Sequence, residues 1–138
     1  MQEVPTMREI LFRGKRIDNG EWVLGWYEPP VEWDGHKFGT TIAYICEEGY
    51  LEDAEVDPST VGQFTGLTDK NGKRIFEGDI VDILTENEEI GVVTYDDGGF
   101  WVEADGFRVD FHTNINGTDL EVLYNIHDNP ELLEGGNA

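Results

Sequence analysis

Short glycine-containing turn signals recur along this chain and limit what it can fold into. Asn19-Gly20 and Asn71-Gly72 are Asn-Gly pairs, which are the strongest short hairpin signal because a type I′ turn needs positive φ at both central residues. Residues 77–79, 96–99 and 104–106 are further glycine-containing turn candidates. No stretch keeps the 3.6-residue apolar period of a helix over several turns. The sequence therefore predicts a mainly β protein.

The segments between these turns are rich in β-branched and aromatic residues or alternate between apolar and polar positions, as strands do. The predicted strands are a hairpin over residues 8–28, then residues 37–46, 80–84, 91–95, 100–103, 107–111 and 120–126. Residues 28–35 contain Pro29 and Pro30, which cannot donate to a sheet, and are predicted to form a loop. The acidic residues 47–55 are predicted to be a solvated connection.

Two Asx-Pro pairs predict single helical turns. Asp57-Pro58 combines a favourable N-cap with a proline suited to the first helical position, which predicts one turn over residues 57–61. Asn129-Pro130 predicts a closing turn over residues 129–133 in the same way. Both turns are too short to be stable on their own.

Acidic residues dominate the composition and exclude several classes of partner. The chain has 30 acids against 9 bases, for a net charge of −21. Neutralising phosphates requires Lys and Arg, so we expect no direct binding to nucleic acid or to an anionic membrane. No apolar run approaches the roughly 20 residues that span a bilayer. The single cysteine, Cys46, allows no intrachain disulfide, which suits a reducing cytoplasm.

The sequence carries no recognisable catalytic, cofactor or metal motif. Asp69-Lys-Asn-Gly72 resembles the opening of a calcium loop, but its glycine is the fourth residue rather than the sixth. His36, His112 and His127 are scattered without metal-ligand spacing. Asp79 and Asp82 are three residues apart and would point to opposite faces of one strand. We therefore expect no catalytic residue, no cofactor and no metal.

Five residues are candidates for an interaction surface: Lys15, Arg16, Trp22, Trp26 and Trp33. Lys15 and Arg16 give the first hairpin a basic tip on an acidic protein. Trp22 and Trp26 are an even number of residues apart and share one face of a strand. That face is predicted to build the core, and the alternative is a protein–protein surface, where Trp is enriched.

Several motifs in one order resemble the YopX family of bacteriophage and prophage proteins. They are FRGKR at residues 12–16, Gly20-Glu-Trp22, residues 56–81, GVVTYDDGGF at residues 91–100, and NIHDNPELL at residues 125–133. The resemblance implies a phage or prophage origin and a cytoplasmic life in a bacterial host. It also implies an N-terminal hairpin part, about residues 7–55, packed on an SH3-like small β-barrel, about residues 56–133. Residues 1–6 would be a flexible extension and residues 134–138 a tail. The family has no established biochemical activity, so the resemblance supplies no catalytic residues.

These observations favour a non-catalytic phage accessory protein that binds another macromolecule. The expected partner is a second copy of the chain, giving a homo-oligomer, or a host or phage protein. One alternative is an acidic mimic of nucleic acid that inhibits a host protein. Another is a divalent-metal-dependent hydrolase that uses surface carboxylates.

Overall fold

A computed structural model describes residues 10–85, 89–111 and 115–129. These ranges contain twelve strands and one 3₁₀ helix, Gly117–Asp119, so the expected mainly β fold is confirmed. The strands are β1 (Phe12–Arg16), β2 (Trp22–Glu28), β3 (Val31–Trp33), β4 (His36–Phe38), β5 (Thr41–Ile45), β6 (Leu51–Thr68), β7 (Arg74–Phe76), β8 (Asp79–Ile83), β9 (Glu89–Asp96), β10 (Gly99–Ala104), β11 (Phe107–Asp110) and β12 (Leu120–Asn125).

The first sheet has the order β1-β2-β5-β6-β7, and β1 also pairs with β6. Strands β1, β2, β5 and β6 therefore form a closed antiparallel circuit. The hairpin predicted at Asn19-Gly20 joins β1 to β2 and is confirmed. Its turn is not type I′, because Gly20 has a φ of 74° while Asn19 is not in the positive region. The Asn71-Gly72 turn likewise joins the antiparallel strands β6 and β7.

Strand β6 corrects two expectations. The acidic connection predicted over residues 47–55 is wrong in its second half, because residues 51–55 pair with β5. The helical turn predicted over residues 57–61 is also wrong. There β6 bulges opposite Gly14, since Arg13 pairs with Gly62 while Lys15 pairs with Asp57. The Asp57 carboxylate does accept a backbone N–H, that of Ser59 at 3.0 Å, as an N-cap would. This hydrogen bond lies within the strand bulge and not at the start of a helix.

The second sheet has the order β11-β10-β9-β8-β12, in which β8 to β11 form an antiparallel meander. Asp97 and Gly98 both have positive φ, at 54° and 80°, as a two-residue type I′ hairpin requires. Its core consists of buried apolar side chains from β7 to β12 and the adjoining loops: Ile75, Val81, Ile83, Val93, Phe100, Val102, Phe111, Ile115 and Leu120. A smaller core, made of Val23, Ile42, Ala54 and Val56, lies inside the first sheet.

Strands β3 and β4 form a separate two-stranded sheet, which we call the arm (Val31–Phe38). Asp34 and Gly35 make its turn, with φ values of 51° and 76°. Two sequence expectations are corrected here. The predicted loop over residues 28–35 contains β3, and the predicted strand over residues 37–46 is interrupted at Gly39 and Thr40.

Two buried carboxylates connect the two sheets. Asp79 in β8 accepts a hydrogen bond from the Arg13 guanidinium in β1 at 2.7 Å. Asp69, at the end of β6, accepts the Val122 N–H of β12 at 2.9 Å. The same carboxylate accepts the N–H groups of Asn71 and Lys73 in the β6–β7 turn, both at 2.9 Å. These contacts fix the edge where the two sheets meet.

The remaining expectations are not confirmed, are not tested, or concern residues outside the described ranges. The SH3-like barrel expected over residues 56–133 is not confirmed. The division of the chain near residue 55 stays a prediction, and that residue lies within β6. The proposed extension over residues 1–6, the tail over residues 134–138 and all but the first residue of the turn over 129–133 lie outside the described residues.

Candidate functional site

The arm presents one apolar face. In a two-stranded sheet, directly paired residues lie on the same side, and the side alternates along each strand. Val31 pairs with Phe38 and Trp33 pairs with His36, so these four side chains share one face, which we call the arm face. The Glu32–Lys37 pair lies on the opposite side.

The arm face is exposed to solvent. The Trp33 side chain is 75% exposed, and Val31 and Phe38 are each more than half exposed. Val31 and Phe38 line a groove of about 430 Å³ together with Tyr27 at the end of β2. The large apolar side chains of the arm face and Tyr27 therefore form an apolar surface beside the first sheet.

Two carboxylates border this groove. Glu28 and Asp53 line it, and Glu28 accepts a hydrogen bond from the Thr41 hydroxyl at 2.7 Å. A hydrogen bond with the Glu28 side chain, together with slight desolvation and the Glu28 charge, raises the pKa of the exposed Asp53. Two neighbouring carboxylates repel each other, so a cationic group from a partner is favoured beside them.

A second groove lies at the edge between the two sheets, and we call it the basic groove. Its volume is about 710 Å³. Three of its lining side chains are cations and one is a carboxylate, in a chain whose acids outnumber its bases 30 to 9. The lining residues are Arg13, Trp22, Leu24, Thr68, Gly72, Lys73, Arg74, Phe76, Asn125 and Asp128.

Aromatic rings hold the Arg13 guanidinium in the basic groove. Its central carbon lies 4.8 Å from the ring centroid of Trp22 and 4.8 Å from that of Phe76. Such cation–π contacts keep a cation beside apolar surface. Within the described ranges, no carboxylate forms an ion pair with the neighbouring Lys73 ammonium.

The Asp128 carboxylate contacts both Lys15 and Trp22 at one end of the basic groove. The Lys15 ammonium lies 2.7 Å from the Asp128 carboxylate, and the Trp22 indole N–H donates to the same group at 2.9 Å. Burial raises the pKa of Asp128, but hydrogen bonds from Lys15, Trp22 and Asn125 together lower it to about 2. The Trp22 ring also contacts His127, with centroids 5.9 Å apart.

The five residues singled out from the sequence therefore lie in different places. Lys15 and Trp22 meet at the basic groove, whereas Trp33 lies on the arm. The Arg16 guanidinium is held near the first hairpin turn, 3.0 Å from the Asp18 carboxylate. Trp26 is 52% exposed, so its predicted place in the core is wrong.

Sequence reasoning missed most of the residues that shape the two grooves. Val31, Phe38 and the arm turn were assigned to a loop or a longer strand, although Asp34-Gly35 is itself a hairpin signal of the Asp-Gly type. Lys73 and Phe76 reach the basic groove through long-range strand pairing, and no spacing in the sequence indicates this.

Potential metal ligands are dispersed over the part of the chain that the structure describes. There, no three His, Cys, Asp or Glu side chains are arranged to hold a metal ion. The expected absence of metal, cofactor and catalytic residues stays a prediction. Among the described residues, no helix has the length and apolar character to cross a bilayer.

The fold and its two grooves define a mainly β protein of two five-stranded sheets that carries a projecting hairpin. The family model described as YopX protein matches residues 12–134, so the chain belongs to the YopX family. Among solved structures, the chain is similar to the crystal structure of protein EF1440 from Enterococcus faecalis. The identity is 24%, the TM-score is 0.54, and the match covers 92% of this chain and 99% of the other. At that identity the likeness shows the fold alone. The comparison with curated proteins found no match.

Proposed function

We propose that this protein is a non-catalytic accessory protein that acts by binding another protein chain through the arm face. The observation that carries this proposal is the projecting two-stranded arm, on which Val31, Trp33 and Phe38 are all exposed. In this proposal the arm is an interaction element rather than part of the core.

Two physical arguments support an interaction role for the arm. A two-stranded hairpin is at best marginally stable in water on its own, because it lacks a second layer to pack against. Contiguous exposed apolar surface on a soluble protein is typical of interaction sites, and Trp and Phe are enriched at such sites. A partner that covers Trp33 and Phe38 would supply the missing layer.

The charges around the arm specify the kind of partner. Glu28 and Asp53 border the arm groove and Asp34 lies at the arm turn, whereas Glu32 is paired with Lys37. The Asp53 carboxyl, whose pKa is raised by its contact with Glu28, gains from a nearby cation. The proposed partner surface is therefore apolar at its centre and basic at its rim.

The proposed setting is the cytoplasm of a bacterium that carries the phage or prophage. The family resemblance supports this setting, and the free thiol of Cys46 suits a reducing compartment. Among the described residues, no cluster of metal ligands favours the metal-dependent hydrolase.

Site-specific photo-cross-linking in cells tests the proposal whichever protein the partner is. A benzophenone amino acid would replace Trp33 in one variant and Tyr124 in a matched control. Tyr124 is an aromatic residue of the second sheet that is 50% exposed, so it controls for exposure alone. We expect a discrete cross-linked protein from position 33 and none of that mass from position 124. The proposal fails if position 33 yields no discrete product, or if both positions yield the same one.

A further inference from the structure

We propose that the partner of the arm is the basic groove of a second copy of this chain, so that copies associate head to tail. This inference rests on the proposed function and names the partner that the arm face would bind.

The basic groove has the chemistry that the arm requires. Its walls are apolar and aromatic, with Trp22, Leu24 and Phe76 lining it. Lys73 and Arg74 line the same groove together with Arg13, which is paired with the buried Asp79 carboxylate, and Asp128, which is paired with Lys15. Its volume of about 710 Å³ lies within the range of about 300–1,000 Å³ typical of pockets that enclose a small ligand. An indole ring with its neighbouring side chains fits such a space.

The arm tip is complementary to this groove. Trp33 is the most exposed of the large apolar side chains in the described ranges, at 75%. Asp34 follows it directly at the arm turn, whereas Glu32 pairs with Lys37 on the side away from Trp33. Docking would place the Trp33 ring against Leu24 and the Asp34 carboxylate near Lys73. The interface would then pair an aromatic anchor with opposite charges, which is typical of binding hot spots.

The arm and the basic groove of one chain lie at opposite ends of β2. Trp22 lines the groove at the start of the strand, and Glu28 precedes the arm at its end. Six residue steps of extended strand place these ends about 20 Å apart. The contact is therefore between copies rather than within one chain. Each copy offers one arm and one groove, so the interface is heterologous and leads to a closed ring or an open filament.

The charge balance favours a protein occupant over nucleic acid. Single-stranded nucleic acid also binds to cations and aromatic rings, but a net charge of −21 repels a polyanion along its whole length. A docked arm meets only the local charges, because the Debye length is about 8 Å at physiological salt and screens the more distant acids. The arm also brings the apolar surface that the groove walls require.

Mixing two complementary variants tests the head-to-tail contact. The arm variant is Trp33→Ala, and the groove variant combines Leu24→Glu with Lys73→Glu, both at exposed positions. Lys70→Glu is the matched control, because Lys70 is an exposed base of the same turn that does not line the groove. Sedimentation velocity at physiological salt measures association over a wide concentration range, and circular dichroism checks that each variant is folded.

We expect the wild type and the Lys70→Glu control to form oligomers. The arm and groove variants should each associate at least about 30-fold more weakly, as removal of a hot-spot residue implies. An equimolar mixture of the two variants should form a heterodimer and nothing larger, because only one intact arm and one intact groove remain to pair.

Three outcomes overturn the inference. A wild type that stays monomeric throughout the concentration range contradicts it. A groove variant that associates as well as wild type shows that the arm binds elsewhere, which leaves the proposed function standing if position 33 still cross-links to a protein. A labelled single-stranded oligonucleotide that binds wild type but not the groove variant, without self-association, assigns the groove to nucleic acid instead.

Discussion

The ion pair between Arg13 and Asp79 is predicted to be the most sensitive polar contact between the two sheets. The Arg13 side chain is 11% exposed and that of Asp79 is 2% exposed, so water screens the pair poorly. Burial raises the pKa of Asp79, and the opposing influences that keep it charged are Arg13 and the Phe76 N–H. Replacing Arg13 with Met removes the cation and keeps an apolar stem of similar length.

The expected loss of unfolding free energy follows from the groups that stay buried in the Arg13→Met variant. Arg13→Met leaves the Asp79 carboxylate buried with the Phe76 N–H as its remaining hydrogen-bond donor. Removing one member of a buried pair typically costs about 3–5 kcal/mol. A domain of this size has an unfolding free energy of about 5–15 kcal/mol, so the variant should melt roughly 10 °C or more below wild type.

A double-mutant cycle measured by urea unfolding separates the pair from its surroundings. Asp79→Asn keeps an acceptor for the Phe76 N–H and removes the charge. The double variant Arg13→Met/Asp79→Asn should be more stable than the sum of the single effects predicts, with a coupling energy of about 2–3 kcal/mol. Lys70→Met is the control, because its pair with Glu121 is exposed and worth about 0–1 kcal/mol. A loss below about 1 kcal/mol in Arg13→Met, or additivity of the two single changes, would refute the reasoning.

Two further predictions concern single positions. Asp69→Asn should cost about 1–3 kcal/mol because the amide has one oxygen in place of the two that accept the Asn71, Lys73 and Val122 N–H groups. Burial raises the pKa of Asp69, but three backbone N–H groups outweigh it and hold the pKa below the ordinary 3.8. The difference in unfolding free energy between wild type and Asp69→Asn should therefore be fully present above pH 3.8 and shrink as the pH falls through the folded-state pKa. A difference that stays constant on acidification would contradict this. Gly25→Ala should cost about 1–3 kcal/mol because the new Cβ collides with the Ala43 carbonyl oxygen of β5. Gly99→Ala is the control, because its Cβ would meet open space and should change thermal stability little. Equal effects of the two variants on thermal stability would be inconsistent with this packing.

Local turn chemistry explains what the sequence predicted correctly. The Asn19-Gly20 and Asn71-Gly72 turns depend on the backbone freedom of one or two residues, so they can be predicted without knowing the fold. The same reasoning applied to Asp34-Gly35 would have found the arm. The neighbouring Pro29 and Pro30 favoured a loop instead.

Long-range pairing explains what the sequence did not predict. Asp57-Pro58 has the local features of a helix start, but pairing of β6 with β1 on both sides of the bulge holds the segment in a strand. The basic groove combines Arg13 and Trp22 with Lys73 and Phe76, more than fifty residues further along the chain. No spacing rule connects these positions, because β1, β2 and β7 come together only when the long-range pairings of the first sheet have formed.

Hydrogen–deuterium exchange at the arm tests the central claim most directly, namely that a protein partner covers the arm face. Exchange would be compared in the free monomer and in the complex with the cross-linked partner, or at high protein concentration if that partner is a second copy. The arm amides at Val31–Phe38 should exchange rapidly when free and become protected in the complex, while residues 41–43, already paired on both sides, should stay unchanged. Equal exchange of the arm amides in the two states would contradict the account.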